Sequence, residues 1–391
     1  MKIAGIISEY NPFHNGHKYH IEKTKSDFGA THIVAVMSGN YTQRGDVAIT
    51  EKYKRAKTAL ENGVDLVVEL PVQYSLASAE IFAKGAINIL DNFNCIDILS
   101  FGSECGDIDL LKETAGAVEY ALQSDEFHYE IRQGKSFPRA LSDSIRLFYH
   151  DIIVDTLNSP NNTLAIEYIK ALDDVGSQIK PVTIKRFHAN HDEMKAEKDK
   201  DTGILSASQI RKMVITGEEF ESFLPKSDFS NIADIKKLEI AVLSKLRTID
   251  KKSFSKYANV IGGMSDKLYK SVRIASSINE LYALVKSKRY TMASIRRAVL
   301  SCFLEIKADM INFPPAYIHI LGMNSKGREI LSKANSSIPI NTSLKMLSIS
   351  SRQAIHESRL AEKCTDLYSL SMQKPMPCGS DFTQKPILIN K

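Results

Sequence analysis

An open α/β fold built on a parallel sheet over residues 1–217, followed by a mainly α-helical, basic part over 218–391, is the architecture this 391-residue sequence predicts. Three observations carry it. Short Val- and Ile-rich runs alternate with helical periodicity through the first part, the pattern of βαβ units whose strands are covered on both faces. Beyond Gly217 those runs give way to longer helical patterns. Charge divides the same way: residues 1–250 hold 29 Lys+Arg against 37 Asp+Glu, and 251–391 hold 22 against 9, so balances of −8 and +13 make up the net +5. An acidic part joined to a basic one suits a protein that does chemistry with the first and grips a polyanion with the second, although a basic surface also serves solubility.

KIAGII (2–7) reads as the first strand, with a helix from His17. THIVAVMSG (31–39) is a strand ending in Gly39, 53–62 a helix, VDLVVELP (64–71) a strand, 77–92 a helix and CIDILSFGS (95–103) another strand. GSQIKPVTIKR (176–186) reads as one more strand, and SASQIRKMVITG (206–217) as a helix opened by Ser and closed by Gly. FESFLPKSDFSN (220–231), with Pro225, reads as a loop, and helical patterns run from there to Ile306. FPPAYIHILGMNSKGREILSKA (313–334) holds a turn, a short apolar strand-like run and a helix.

Apolar content of 43% and charged content of 25% are those of an ordinary soluble globular protein. The 5 cysteines are scattered without a CxxC pair, which argues against a disulfide framework or a structural zinc site and for a reducing compartment. Glu9 interrupts the first apolar run, so no signal peptide is expected, and no stretch reaches the roughly 18 apolar residues of a membrane helix. The expected location is the cytoplasm, away from membranes.

SEYNPFHNGHKYHIEK (8–23) sets His14, His17 and His20 at a spacing of three, with Asn15-Gly16 between the first two. The cluster lies between the first strand and its helix, where open parallel sheets bind ligands and where helix N–H groups favour anions. Gly16 removes a side chain where a phosphate must approach closely. His14 and His17 are then placed to donate to phosphate oxygens as negative charge develops. With 10 His and 19 Gly in 391 positions, chance predicts roughly 0.01 such H-x-G-H motifs. A metal reading needs a third ligand; His20 or Glu9 would serve, but nothing downstream has matching spacing, so no metal site is expected. An incidental turn is the remaining alternative.

H-x-G-H after a first strand resembles the signature of the nucleotidylyltransferase superfamily. EYNPFHNGH (9–17), MSGNYTQRGDVAI (37–49), GVDLVVELPVQYSLASAEIFAKGA (63–86), FGSE (101–104), SPNNTLAIEYIKAL (159–172), IKRFHANHD (184–192), ILSASQIRK (204–212) and FPPAYIHILGMNSKGREIL (313–331) together resemble the bacterial tRNA(Met) cytidine acetate ligase family. The likeness runs over nearly the whole chain. It implies a Rossmann-like, HUP-type nucleotidylyltransferase domain over 1–217 and a tRNA-binding helical domain over 218–391. It also implies a ligase that activates acetate with ATP as acetyl-adenylate, releases pyrophosphate, and passes the acetyl group to N4 of the wobble cytidine of elongator tRNA(Met).

The same likeness implies ATP contacts from Ile7, Ser8, Glu9, Tyr10, Asn11, Pro12, Phe13, His14, Asn15, Gly16, His17, Lys18, Tyr19 and His20. It adds Gly102, Asn161 or Asn162, and Arg186. SASQIRK resembles the second superfamily signature, with Ser206 and Ser208 beside the phosphates and Arg211 neutralising pyrophosphate. His14, His17 and Arg211 are thus the expected catalytic residues. A glycine that only ends a strand, an asparagine that only caps a helix, and a solvated Lys185–Arg186 pair are the competing readings. In SGNYTQRGD (38–46), Gln43 and Arg44 are candidates to bind substrate, and Thr42 or Asn40 to orient a small acid, against a plain solvated loop. No side chain looks like a covalent nucleophile, which agrees with direct attack of a carboxylate on the α-phosphate. Magnesium bridging the phosphates is expected, without a dedicated carboxylate.

KSKRYTMASIRR (286–297) supplies Lys286, Lys288, Arg289, Arg296 and Arg297; KKSFSKY (251–257) adds Lys251, Lys252 and Lys256. Such groups neutralise RNA phosphates and make affinity fall with salt. Phe254, Tyr257 and Tyr290 would stack on unpaired bases or belong to the helical core. A cytidine taken out of its stack needs a groove between the two parts. Two other functions fit the motifs: a nucleotidylyltransferase making a nucleotide cofactor, which leaves the basic part without a purpose, and a non-catalytic RNA-binding protein on the same fold.

Overall fold

Five strands, apolar at most positions, form the centre of the molecule, which is a computed structural model describing residues 1–186 and 204–390. β1 (Ile3–Ser8), β2 (His32–Ser38), β3 (Leu66–Leu70), β4 (Ile98–Ser103) and β5 (Lys180–Lys185) run parallel in the order β5-β4-β1-β2-β3. β2 and β3 are buried at every residue. The reason is the pleat: Ile33, Ala35 and Met37 pack with Ile21 of helix α1 (Asn15–Phe28) and with Ala56 and Leu60 of helix α2 (Lys52–Glu61), while Val34 and Val36 face Phe82, Ala86 and Leu90 on the other side. All five predicted strands and the 206–217 helix are present, the latter as Ala207–Thr216 with Ser206 and Gly217 at its caps.

Between β4 and β5 the chain forms helices Ile108–Gln123, Asp125–Arg132, Phe137–Arg146 and Asp151–Leu157 before the helix Pro160–Asp174, which begins within SPNN. The later helices Glu239–Arg247, Met264–Ile274, Ile278–Val285, Met292–Leu304 and Arg352–Ser369 share a second core, with Leu246, Leu268, Leu281, Val299 and Tyr368 at its centre. Phe254, Tyr257 and Tyr290 belong to that core, which removes them as stacking platforms. Tyr41 and Val47, from the segment between β2 and α2, are buried in it as well.

The strand-like run in 313–334 is β6 (Ile318–Met323), and it returns to the first part of the chain. It pairs antiparallel with β3, and it is joined on its far side by β7 (Ile340–Asn341) and β8 (Ile387–Leu388). A β3 buried on both faces would otherwise present an unpaired edge, and β6, buried at all its residues, closes it. Residues beyond 317 therefore serve both layers. No helix among the described residues is long and apolar enough to cross a membrane.

Candidate active site

Helix α1 starts two residues earlier than the sequence suggested, because a histidine caps it. Gly16 N–H donates to His14 Nδ1 at 3.1 Å, and His14 N–H donates in return to His17 Nδ1 at 3.2 Å. A neutral imidazole whose Nδ1 accepts carries its proton on Nε2, so the backbone fixes both rings as Nε2–H donors. The rings stack with centroids 3.8 Å apart, and His17 rests edge-on against Tyr10 at 4.9 Å. Burial, aided by Arg186 and Arg211, lowers His14 to about 3. Burial, with His14, Arg186 and His20 adding to it, holds His17 well below the ordinary imidazole value. His20, lowered to about 4 by burial and then Arg186, sits 3.0 Å from Ser100 Oγ on β4.

These mutual influences place His14, His17, His20, Arg186 and Arg211 around the C-terminal ends of β1, β4 and β5. Arg211, on the helix Ala207–Thr216, reaches back to donate to the Asn11 carbonyl at 2.7 Å, which ties the second signature to the first. Arg186 follows β5 directly; a Cβ at Gly102, on the neighbouring strand β4, would stand 3.1 Å from its Cγ. So Gly102 makes room for that arginine. At Gly16 the space is likewise claimed by protein: an added Cβ would lie 2.9 Å from His14 Cε1, so the residue frees the capping ring rather than a phosphate.

The stretch from Ile7 to His20 does not face one way. Tyr10 and Phe13 are core residues, packed against each other at 4.9 Å, and buried Asn11 accepts from Ile49 N–H at 2.8 Å. Asn15 Nδ2 donates to the Ser222 carbonyl, and Lys18 is exposed. Asn161 and Asn162 are engaged with the FGSE loop. Glu104 accepts from Asn161 Nδ2 at 2.6 Å and from both backbone N–H groups, while Asn162 Oδ1 accepts from Glu104 and Cys105 N–H. Ser206 caps its helix through Gln209 N–H and touches Ser208 Oγ at 3.1 Å.

Two residues unremarked in the sequence hold the site's loops. Arg55 is buried on α2 and donates to the carbonyls of Thr50, Glu9, Ser38 and Gly39, joining the ends of β1 and β2. Glu104 caps the helix Pro160–Asp174, where the Ser159 side chain makes no capping bond. KYKRAK looks like a solvated helix face, and nothing in it distinguishes Arg55; Glu104 ends the FGSE stretch, far along the chain from the helix it caps. Glu9 accepts from Gln43 N–H at 2.7 Å, and burial raises its carboxyl against the pull of Arg211, Arg44 and Arg55.

The basic candidates separate. Lys252, Lys288 and Arg289 are exposed, Lys251 pairs with Asp266 at 3.2 Å, and Lys286 Nζ donates to the Tyr290 carbonyl at 2.6 Å. Arg296 lies over the Tyr282 ring, and Arg297 donates to the Gln43 carbonyl at 2.9 Å. Arg297 thus braces the SGNYTQRGD loop from the helical side. Of the quoted stretches, residues 187–192 lie outside the described residues. Among those described, no group of three or more His, Cys, Asp or Glu is placed to hold a metal ion.

Residues 1–381 match the HIGH Nucleotidyl Transferase family. The chain is 36% identical to the tRNA(Met) cytidine acetate ligase of Clostridium perfringens, over 99% of its own length and 100% of the relative's. It is 35% identical to that of Acetivibrio thermocellus, over 100% of both. Its structure is similar to the crystal structure of Thermotoga maritima TmcAL bound with alpha-thio ATP, with a TM-score of 0.89, 30% identity and 100% coverage of both chains.

Proposed function

Since this chain belongs to the HIGH nucleotidyl transferase family, and within it to the tRNA(Met) cytidine acetate ligases, we propose that it acetylates a cytidine of tRNA(Met) from acetate and ATP. The observation that carries this reading is a set of uncharged Nε2–H donors and two arginines at the sheet's C-terminal edge, joined by one loop to a basic helical part. N–H donors and guanidinium groups suit phosphate oxygens. ATP lies with its phosphates on His14 and His17, with Arg186 over Gly102 and Arg211 toward the departing pyrophosphate. Magnesium, if it enters with ATP, would neutralise part of the phosphate charge without a carboxylate cluster of this chain among the described residues to hold it.

The reaction needs no covalent enzyme intermediate. Acetate attacks the α-phosphate, pyrophosphate leaves, and the N4 amine of the wobble cytidine of elongator tRNA(Met) then attacks the acetyl carbonyl, releasing AMP and a proton. The chain supplies position and charge stabilisation. The SGNYTQRGD loop, held by Glu9 on one side and Arg297 on the other, serves the acid and the acceptor base. Residues 1–217 carry the chemistry and 218–391 the grip on tRNA, in the cytoplasm.

The test uses purified protein, ATP, labelled acetate and bulk bacterial tRNA, with digested nucleosides read by mass. An added acetyl group on cytidine, dependent on both ATP and acetate, is the expected result. Pyrophosphate release without a modified nucleoside would move the acceptor, and the absence of both would overturn the reading.

A further inference from the structure

Under the start of the SGNYTQRGD loop lies a buried ionic cluster that the reaction does not use. Lys52 Nζ is 2.7 and 2.8 Å from the two oxygens of Glu69 and 2.8 Å from Asp381 Oδ2. His319 Nδ1 is 2.9 Å from Glu69 Oε2. All four residues are buried. Burial opposes the charge on Lys52, but Asp381 and Glu69 outweigh it and hold the ammonium above its ordinary range. Burial likewise opposes ionised Glu69, but Lys52 and His319 outweigh it and lower the carboxyl to about 2.

Such clusters are weak evidence for stability, because desolvation consumes most of the attraction. Their value here shows in where the bonds lead. Thr365 Oγ1 donates to Asp381 Oδ2 at 2.9 Å and accepts from Asn40 Nδ2 at 3.3 Å. Asn40 Oδ1 accepts from Lys52 N–H at 2.9 Å. A Cβ on Gly39 would lie 2.5 Å from Glu69 Oε1. The members come from α2, β3, β6, the helix Arg352–Ser369 and the C-terminal turn Ser380–Thr383. The irregular segment on which they converge is Gly39-Asn40.

We propose that the Lys52–Glu69–Asp381–His319 cluster, with Thr365 as its link, positions the SGNYTQRGD loop for the acid and acceptor. The C-terminal turn thereby becomes part of the active site, through Asp381. This rests on the functional reading of that loop given above. Lys52, Asp381 and Thr365 are positioning residues, acting through Asn40.

The test uses the full chain, with the kinetics of acetate-dependent cytidine acetylation set beside ATP affinity from equilibrium dialysis. Thr365→Val removes one hydroxyl and no charge. It should lower kcat/KM for acetate about tenfold, a small misplacement of reacting groups, while the Kd for ATP stays within about twofold. Lys52→Met leaves the buried Asp381 carboxylate without its cation and should lower Tm and activity together. The double variant Lys52→Met/Asp381→Leu leaves Glu69 partnered by His319, so Tm should return toward the parent while activity stays low. Recovery of activity along with Tm, or an unaltered Thr365→Val enzyme, would make the cluster structural only and overturn the proposal. A parent protein with no acetate-dependent activity would instead sink the functional reading on which the proposal rests.

Discussion

His14 and His17 lie ring on ring at 3.8 Å, an arrangement that two imidazolium ions would not tolerate. Both are kept neutral, by burial first and by nearby cations second. In the proposed reading they act as fixed dipoles toward phosphate, and their donor form does not depend on pH near neutrality. Adenylation, followed as acetate-dependent ATP–pyrophosphate exchange, should therefore show no limb near pH 6.5. A limb there that disappears in His17→Gln would contradict the assignment. The same shifts affect stability. The folded values, about 3 for His14 and about 4 for His20, lie below the ordinary imidazole value, so the unfolded chain binds protons that the native one refuses. That contribution is complete above pH 6.5 and is lost as pH falls toward about 4 for His20 and about 3 for His14, by up to about 1.4 kcal/mol per pH unit for each group. The Tm of His20→Gln should fall less steeply over that window than the parent's.

At the scale of single elements, the helix Pro160–Asp174 shows what the letters disclose and what they hide. SPNN marked its start, and the asparagines were assigned to the nucleotide. The structure commits their side chains to Glu104, Cys105 and Thr156, and the Glu104 carboxylate takes two N–H groups at the helix N-terminus, where negative charge is favoured. Capping by a residue some 57 positions away leaves no local pattern, so no spacing rule finds it. The histidine cap of α1 was hidden for a related reason: the motif was visible, but its Nδ1 bonds form only once the turn has closed. Strands were the most legible elements, because a parallel sheet covered on both faces must be apolar at successive positions. The helices of 108–157 were not: those after Gln123 are short, and the group is partly exposed around Tyr120, Tyr129 and Phe148. Glu104 also faces Arg186 electrostatically, so its loss touches the site. Glu104→Ala should cost about 1 kcal/mol of stability, as for a lost cap, and weaken ATP binding several-fold. Thermal unfolding and ATP titration check it. A stability loss with unchanged ATP affinity would confine Glu104 to its helix.

Across the whole molecule, the chain's two ends meet on one sheet, because β6 and β8 come from the last quarter and seal β3. The basic helical core and the proposed phosphate site are thereby held in one body, and the SGNYTQRGD loop spans them, with Tyr41 and Val47 in one core and Gln43 bonded to Glu9. Charge asymmetry pointed to this division of labour, but it could not say which basic residues face outward. The fold sorts them. Lys252 and Lys288 are exposed, whereas Arg297 is spent on the Gln43 carbonyl. Each phosphate neutralised adds about 0.7 to the slope of log affinity against log salt on single-stranded RNA and about 0.9 on a duplex. Lys252→Ala/Lys288→Ala should thus weaken tRNA binding and flatten that slope by about 1.5, leaving acetate-dependent pyrophosphate exchange intact. Arg297→Ala should do the reverse: it frees the loop and slows acetyl transfer, but leaves the slope unchanged. Filter binding across a salt series separates the two. If Arg297→Ala flattens the slope as the lysine pair does, its guanidinium reaches the RNA, and the loop must be braced by Glu9 and the Lys52 cluster alone.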